Sequence, residues 1–99
     1  MKKKEFINSL KFEDKPSENL SPCQQSIWWA KKDEWEKAHD LAQKVNSKDG
    51  NWVHAYLHRL EGDIENAGYW YRLAGRPVKI NECLLKEWDE MVECFFPTA

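Results

Sequence analysis

The chain has 99 residues, a length that suits one domain, and charged residues make up 32% of it. Its formal net charge is −2 with both signs interspersed, which argues against a nucleic-acid binder that works through a basic surface. No stretch approaches the ~20 apolar residues of a membrane span, so we expect neither nucleic acid nor a membrane as a partner.

The N-terminus and the cysteines favour a cytoplasmic location. The segment Met1 to Lys4 is basic, but no apolar run of secretory type follows it. Cys23, Cys83 and Cys94 are odd in number and form no CxxC pair. We therefore expect reduced thiols in a cytoplasmic protein.

Residues 1–20 lack a regular hydrophobic period and are predicted to form an irregular N-terminal arm. Residues 21–99 are predicted to form a single helical domain, because helix start and stop signals follow one another along this segment. Ser21 and Gln24 frame a capping box, Asn51 and Asn81 are candidate N-caps, and Gly75 is a candidate helix stop.

These signals predict an all-α fold, a repeat-like bundle of about five short helices. No segment alternates apolar and polar residues over a strand length. The linkers are short, so successive helices should be antiparallel neighbours. The predicted helices cover roughly residues 21–32, 33–46, 51–61, 63–74 and 81–95.

Two segments of the chain are similar to each other in sequence. If Ala38 is placed on Ala67, the segment 33–38 aligns with 62–67, and small and bulky residues follow at spacings of three and four. This pattern resembles the second helix of tetratricopeptide repeats, over about one repeat at residues 51–78. The two copies lie closer together than the 34 residues of that family. The resemblance implies a similar helical hairpin and, by extension, a surface that holds peptides or partner helices.

The segment from Trp52 to Gly75, WVHAYLHRLEGDIENAGYWYRLAG, is also similar to small bacterial proteins without an assigned function. That resemblance implies a fold and no chemistry.

The same segment carries the candidate ligand-binding residues, because polar groups with directional hydrogen bonds alternate with aromatic rings. His54 and His58 are four residues apart and share one helix face, and Glu61 extends that row. His39 lies at the edge of the preceding apolar stripe and could point to the same place. The candidates are His39, His54, His58, Arg59, Glu61, Tyr69 and Arg72.

Three imidazoles and a carboxylate could form a zinc site, with His54 and His58 as the first candidates. Structural or solvated histidines are the preferred interpretation, because an HxxxH pair arises easily by chance and the HExxH pattern of zinc proteases is absent. Contacts with a ligand or partner are the third alternative. We therefore predict no metal or other cofactor. Arg59 and Arg72 are expected to pair with Glu61, Asp63 or Glu65 across the hairpin, or else to bind a carboxylate or phosphate.

No catalytic residue is predicted, since neither a phosphate-binding glycine loop nor a nucleophile elbow occurs. The first hypothesis is a non-enzymatic module that binds a protein or peptide. The second is a small-ligand or metal site around His39, His54, His58 and Glu61. The third is a structural homo-oligomer, with a dimer possible and the oligomeric state left open.

Overall fold

The computed structural model describes residues 1–97, and this part of the chain contains six α-helices and no strand. The predicted all-α class is therefore confirmed. Within residues 1–97, no helix combines the length and the apolar character needed to cross a membrane. The helices are α1 (Lys3–Phe12), α2 (Pro22–Lys31), α3 (Trp35–Gln43), α4 (Lys48–Leu60), α5 (Ile64–Ala74) and α6 (Leu84–Phe95).

Helix α1 lies in the segment that was expected to be an irregular arm. Phe6 is fully buried, and its ring centroid lies 4.6 Å from that of Phe96 and 6.1 Å from that of Trp88. Ser9 Oγ accepts a hydrogen bond from Trp28 Nε1 at 2.9 Å. The apolar face of α1 is narrow, and its partners belong to α2 and α6. The local pattern therefore does not reveal the helix.

Two of the predicted helix ends are confirmed in atomic detail. Ser21 Oγ accepts from the Gln24 backbone N–H at 3.1 Å, and Gln24 Oε1 accepts from the Ser21 N–H at 2.9 Å. This reciprocal pair satisfies two free backbone donors at the start of α2. Gly75 ends α5 in the left-handed conformation, with φ 70°, which glycine adopts at little cost.

Other predicted ends are wrong. Ser47 rather than Asn51 caps α4, because its Oγ accepts from the Gly50 N–H at 3.1 Å. Helix α6 begins at Leu84, so Asn81 lies in the preceding loop. Helix α3 begins only at Trp35, and Asp33 adopts φ 64° in the turn before it.

Helix α4 is the central element of the bundle. It forms a hairpin with α5, lies against α3 and also contacts α2 and α6, while α2 and α3 form the second hairpin. Every residue from Trp52 to Arg59 is consequently buried. A helix surrounded on all sides is normally apolar, yet α4 carries His54, His58 and Arg59 into the interior. Buried polar groups of this kind need partners, and those partners define the candidate site.

Candidate metal centre

All three histidines of the chain meet between α3 and α4. His54 and His58 lie one turn apart on α4, and His39 faces them from α3. Each ring offers one nitrogen that lies within 4.8 Å of the corresponding nitrogens of the other two. His39 Nε2 is 2.9 Å from His54 Nε2, a hydrogen bond in which one ring donates its proton to the lone pair of the other.

Two indole rings hold the imidazoles in place. Trp35 stacks on His39 with centroids 4.6 Å apart, and Trp70 stacks on His54 at 3.8 Å. Trp35 Nε1 also donates to the Leu57 carbonyl oxygen at 2.7 Å. This hydrogen bond ties the α3 side of the cluster to α4. The rings are therefore positioned by packing from both sides.

Glu61 and Asn66 orient the third imidazole. His58 Nδ1 lies 2.6 Å from Glu61 Oε2. In the neutral tautomer in which Nδ1 donates to this carboxylate, Nε2 carries the lone pair. Asn66 Nδ2 lies 3.4 Å from that Nε2. A carboxylate that binds the far nitrogen of a histidine is the usual outer partner of a histidine that ligates a metal.

The surroundings favour the neutral form of two imidazoles. Burial, reinforced by the neighbouring His39 and His58, lowers the pKa of His54 from 6.5 to about 4. Burial and the nearby His58 also lower the pKa of His39. Neutral imidazole is the form that binds metal ions, so both rings are available as ligands at neutral pH.

Arg59 does not pair with Glu61, Asp63 or Glu65, so that prediction is wrong. Its Nε and Nη2 donate to Glu87 Oε1 at 3.2 and 3.0 Å. Burial alone would lower the pKa of Arg59, but the hydrogen bond and charge of Glu87 outweigh it and the pKa is raised. The remaining Nη1 donates to the Ile80 and Glu82 carbonyl oxygens.

Glu87 is the residue that the sequence analysis missed. Its side chain is completely buried. Tyr71 Oη donates to its carboxylate at 2.7 and 2.8 Å, and Trp52 Nε1 donates at 3.0 Å. Burial and these contacts raise the pKa of Tyr71. A signal was present, because Glu87 lies three residues after Leu84 and four before Met91, on the apolar face of α6.

This second polar group is closed to ligands. Within residues 1–97, every buried side-chain nitrogen and oxygen has a hydrogen-bond partner. The Arg59 guanidinium is occupied by Glu87 and by backbone carbonyls, so it is not free to bind an anion. We assign the group to holding α6 and the preceding loop on α4.

The last two predicted ligand-binding residues lie apart from the buried clusters. Tyr69 is 53% exposed on the solvent side of α5, and Arg72 is exposed beside it. In the part of the chain that the structure describes, Arg72 forms no ion pair, so its predicted pairing with Glu61, Asp63 or Glu65 is also wrong. Trp70, between them in sequence, turns inward to His54. Neither Tyr69 nor Arg72 hydrogen-bonds to the imidazoles.

The cysteines are free thiols, as expected. Cys23 is buried, and burial with the charge of Asp49 raises its pKa to about 11, so it is a poor nucleophile at neutral pH. Cys83 and Cys94 are exposed.

Comparison of the chain with protein-family models, with curated proteins and with solved structures finds no match. The function is therefore argued from the side chains themselves.

Proposed function

We propose that this protein binds one divalent transition-metal ion of the zinc type through His39, His54 and His58. The observation that carries the proposal is the convergence of all three imidazoles, contributed by two helices, with their ligand atoms within 4.8 Å of one another. Tetrahedral zinc binds nitrogens at 2.0–2.1 Å, which sets two ligand nitrogens roughly 3.3 Å apart. The 2.9 Å between His39 Nε2 and His54 Nε2 is within a few tenths of an ångström of that separation.

The donor set supports a transition metal rather than calcium or magnesium. Imidazole nitrogen suits zinc, copper and nickel, whereas calcium and magnesium take oxygen ligands. The hydrogen bond between two neutral imidazoles is worth only about 1 kcal/mol net. A metal ion that binds both nitrogens would therefore displace the His39–His54 hydrogen bond at small cost.

Glu61 has a defined part in this proposal. Its hydrogen bond to His58 Nδ1 fixes the orientation of the ring and leaves Nε2 as the nitrogen that can carry the lone pair. Trp35 and Trp70 limit the rotation of His39 and His54 by stacking on them. The site is thus supported by an outer layer of contacts before any ion enters.

The test is a calorimetric titration of the untagged protein with Zn²⁺, in a Cys83→Ser/Cys94→Ser background that removes the two exposed thiols. We expect one ion per chain. We expect His39→Gln, His54→Gln and His58→Gln each to abolish or strongly weaken binding. Glu61→Gln, which changes only an outer contact, should weaken it by about 10–100-fold.

Asp40→Asn is the matched control, because Asp40 is an exposed carboxylate next to His39 in the chain. This variant should bind zinc like the parent protein. Circular dichroism of each variant establishes that the helices are intact. Binding that survives all three His→Gln changes, or that fails in the folded parent protein, would refute the proposal.

A second candidate function is the protein- or peptide-binding module, and an apolar surface on α5 favours it. Tyr69 and Leu73 are four residues apart, on one helix face, and are 53% and 46% exposed. A pull-down in which Tyr69→Ser/Leu73→Ser serves as the control bait tests it, with loss of a specific partner as the supporting result. Sedimentation of the parent protein and of the Tyr69→Ser/Leu73→Ser variant tests the third hypothesis, a structural homo-oligomer. That hypothesis requires the parent protein to self-associate.

A further inference from the structure

We infer that the metal ion at His39, His54 and His58 keeps one exchangeable coordination position, which water or a small monodentate anion fills. This inference rests on the proposed function and concerns the fourth ligand of the same site. Zinc sites with four protein ligands are structural and closed, whereas sites with three protein ligands hold water or substrate at the fourth position.

The nearby carboxylates are committed elsewhere. Glu61 binds His58 at Nδ1, on the side of the ring away from Nε2. It cannot keep that contact and also coordinate an ion held at Nε2. Asp63 caps α5, where its Oδ1 accepts from the Asn66 backbone N–H at 3.3 Å. Glu61 and Asp63 each have a carboxylate oxygen within 4.8 Å of a His58 nitrogen. Because both carboxylates already accept these hydrogen bonds, we assign three ligands to the imidazoles and none to the carboxylates.

The side-chain amide of Asn66 is also unsuited as a fourth ligand. The structure turns its Nδ2, a donor without a lone pair for a metal, toward His58 Nε2 at a distance of 3.4 Å. An amide in this position can instead donate a hydrogen bond to a ligand held next to the ring. A bound water or anion offers such an acceptor.

The residues of the cluster differ in their exposure to solvent. His54 and His58 are 6% and 7% exposed, whereas His39 is half-buried and the Glu61 side chain is 39% exposed. Small ligands would thus reach the ion past His39 and Glu61. The indoles of Trp35 and Trp70 flank the rings and restrict this approach. This geometry selects small ligands over extended ones, and a positive ion selects anions among them.

The experiment uses Co²⁺ as the ion and sodium azide as the probe, again in the Cys83→Ser/Cys94→Ser protein. Bound Co²⁺ has a visible absorption spectrum that reports its ligands. We expect azide to change the band positions and intensities along a saturable curve, with one azide per bound Co²⁺. Sodium perchlorate at equal ionic strength, whose anion coordinates metal ions very weakly, is the control for a general salt effect.

The outcomes separate this inference from the proposed function. Failure of Co²⁺ to bind at all would refute the metal site itself. Bound Co²⁺ with a spectrum that azide does not alter would overturn the open position while leaving the metal site in place. An azide response that appears only after Glu61→Gln or Asn66→Ala would also overturn it, because that residue would then be the fourth ligand. A saturable response of the parent protein, with one azide per bound Co²⁺, would support it. Glu61→Gln should then bind Co²⁺ more weakly and Asn66→Ala should bind azide more weakly, both with the same stoichiometry.

Discussion

The guanidinium of Arg59 on α4 binds the carboxylate of Glu87 on α6 through two nitrogens, at 3.2 and 3.0 Å from Oε1. The two side chains are 3% and 0% exposed. Tyr71 and Trp52 donate to the same carboxylate. Two buried charges and two aromatic donors thus satisfy one another at the centre of the bundle.

Glu87→Gln should be strongly destabilising. The change leaves the buried Arg59 charge without its counter-ion, and such losses cost about 3–5 kcal/mol. Urea denaturation measures the free energy of unfolding. The partly exposed pair Lys79–Glu90 is the control, and Lys79→Met should cost only about 1 kcal/mol. Similar costs for the two variants would contradict the assigned role of Glu87.

Phe6→Ala should destabilise the protein by about 3–5 kcal/mol, because it opens a cavity between α1 and α6. Phe6 is fully buried against Phe96. Phe12, on the same helix, is 81% exposed, so Phe12→Ala should change stability by no more than about 0.5 kcal/mol. Thermal unfolding of the two variants compares them directly. An unaffected Phe6→Ala protein would mean that α1 does not dock on the bundle.

Two glycines should respond to alanine in opposite directions. A Cβ on Gly50 would lie 2.4 Å from the Val45 carbonyl oxygen, which is part of the backbone and cannot easily move. A Cβ on Gly68 would meet only Arg72 and Val78, at 3.5 Å or more. Gly50→Ala should therefore destabilise, whereas Gly68→Ala should stabilise by roughly 0.5–1 kcal/mol through helix propensity. Urea midpoints of both variants check the signs.

The metal-free protein should lose stability as the pH falls from about 6.5 to about 4. The pKa of His54 is about 4 in the folded protein and 6.5 as the ordinary value. The unfolded chain therefore binds a proton in this window that the folded chain does not, and protonation favours unfolding. The stability that depends on a neutral His54 is fully present above pH 6.5 and is lost as the pH falls through about 4. This loss in the free energy of unfolding amounts to about 3 kcal/mol.

Urea denaturation with a chelator present, at several pH values across this window, measures that loss. The His54→Gln variant removes the group and should show a distinctly shallower dependence, whereas Asp40→Asn should behave like the parent protein. Parallel curves for His54→Gln and the parent would show that His54 is not the titrating group.

Zinc at 100 times its dissociation constant should stabilise the folded protein by about 2.7 kcal/mol. For a domain of this size, that corresponds to a rise in the thermal midpoint of roughly 10 °C or more. A chelator should reverse the shift, and His58→Gln should abolish it. A rise of equal size with Mg²⁺ would contradict a nitrogen site, since magnesium prefers oxygen ligands.

Sequence signals for helix ends gave correct predictions where the interactions lie within one helical turn. The Ser21 capping box and the Gly75 stop depend on residues within one helical turn, and both form as predicted. The Asn51 prediction failed because Ser47, one turn earlier, supplies an equivalent hydroxyl to the Gly50 N–H. Two caps of similar energy cannot be ranked from the sequence alone.

Part of the candidate site could be predicted from the sequence for the same reason. The four-residue spacing of His54 and His58 places them on one helix face by helix geometry alone. That His39 would lie 2.9 Å from His54 depended on how α3 packs against α4, for which the sequence offered only the edge of an apolar stripe.

The sequence by itself determined the helical class, most helix positions and the pairing of two histidines on one face, because these follow from periodicity and capping within a few residues. The tertiary structure alone decided that α1 docks through Phe6 and that Arg59 pairs with Glu87 rather than with Glu61. It also decided that the imidazoles of all three histidines converge. Each of those contacts joins different helices, and the packing of α4 at the centre selects them. Burial then makes partners obligatory for every polar group that α4 carries inside.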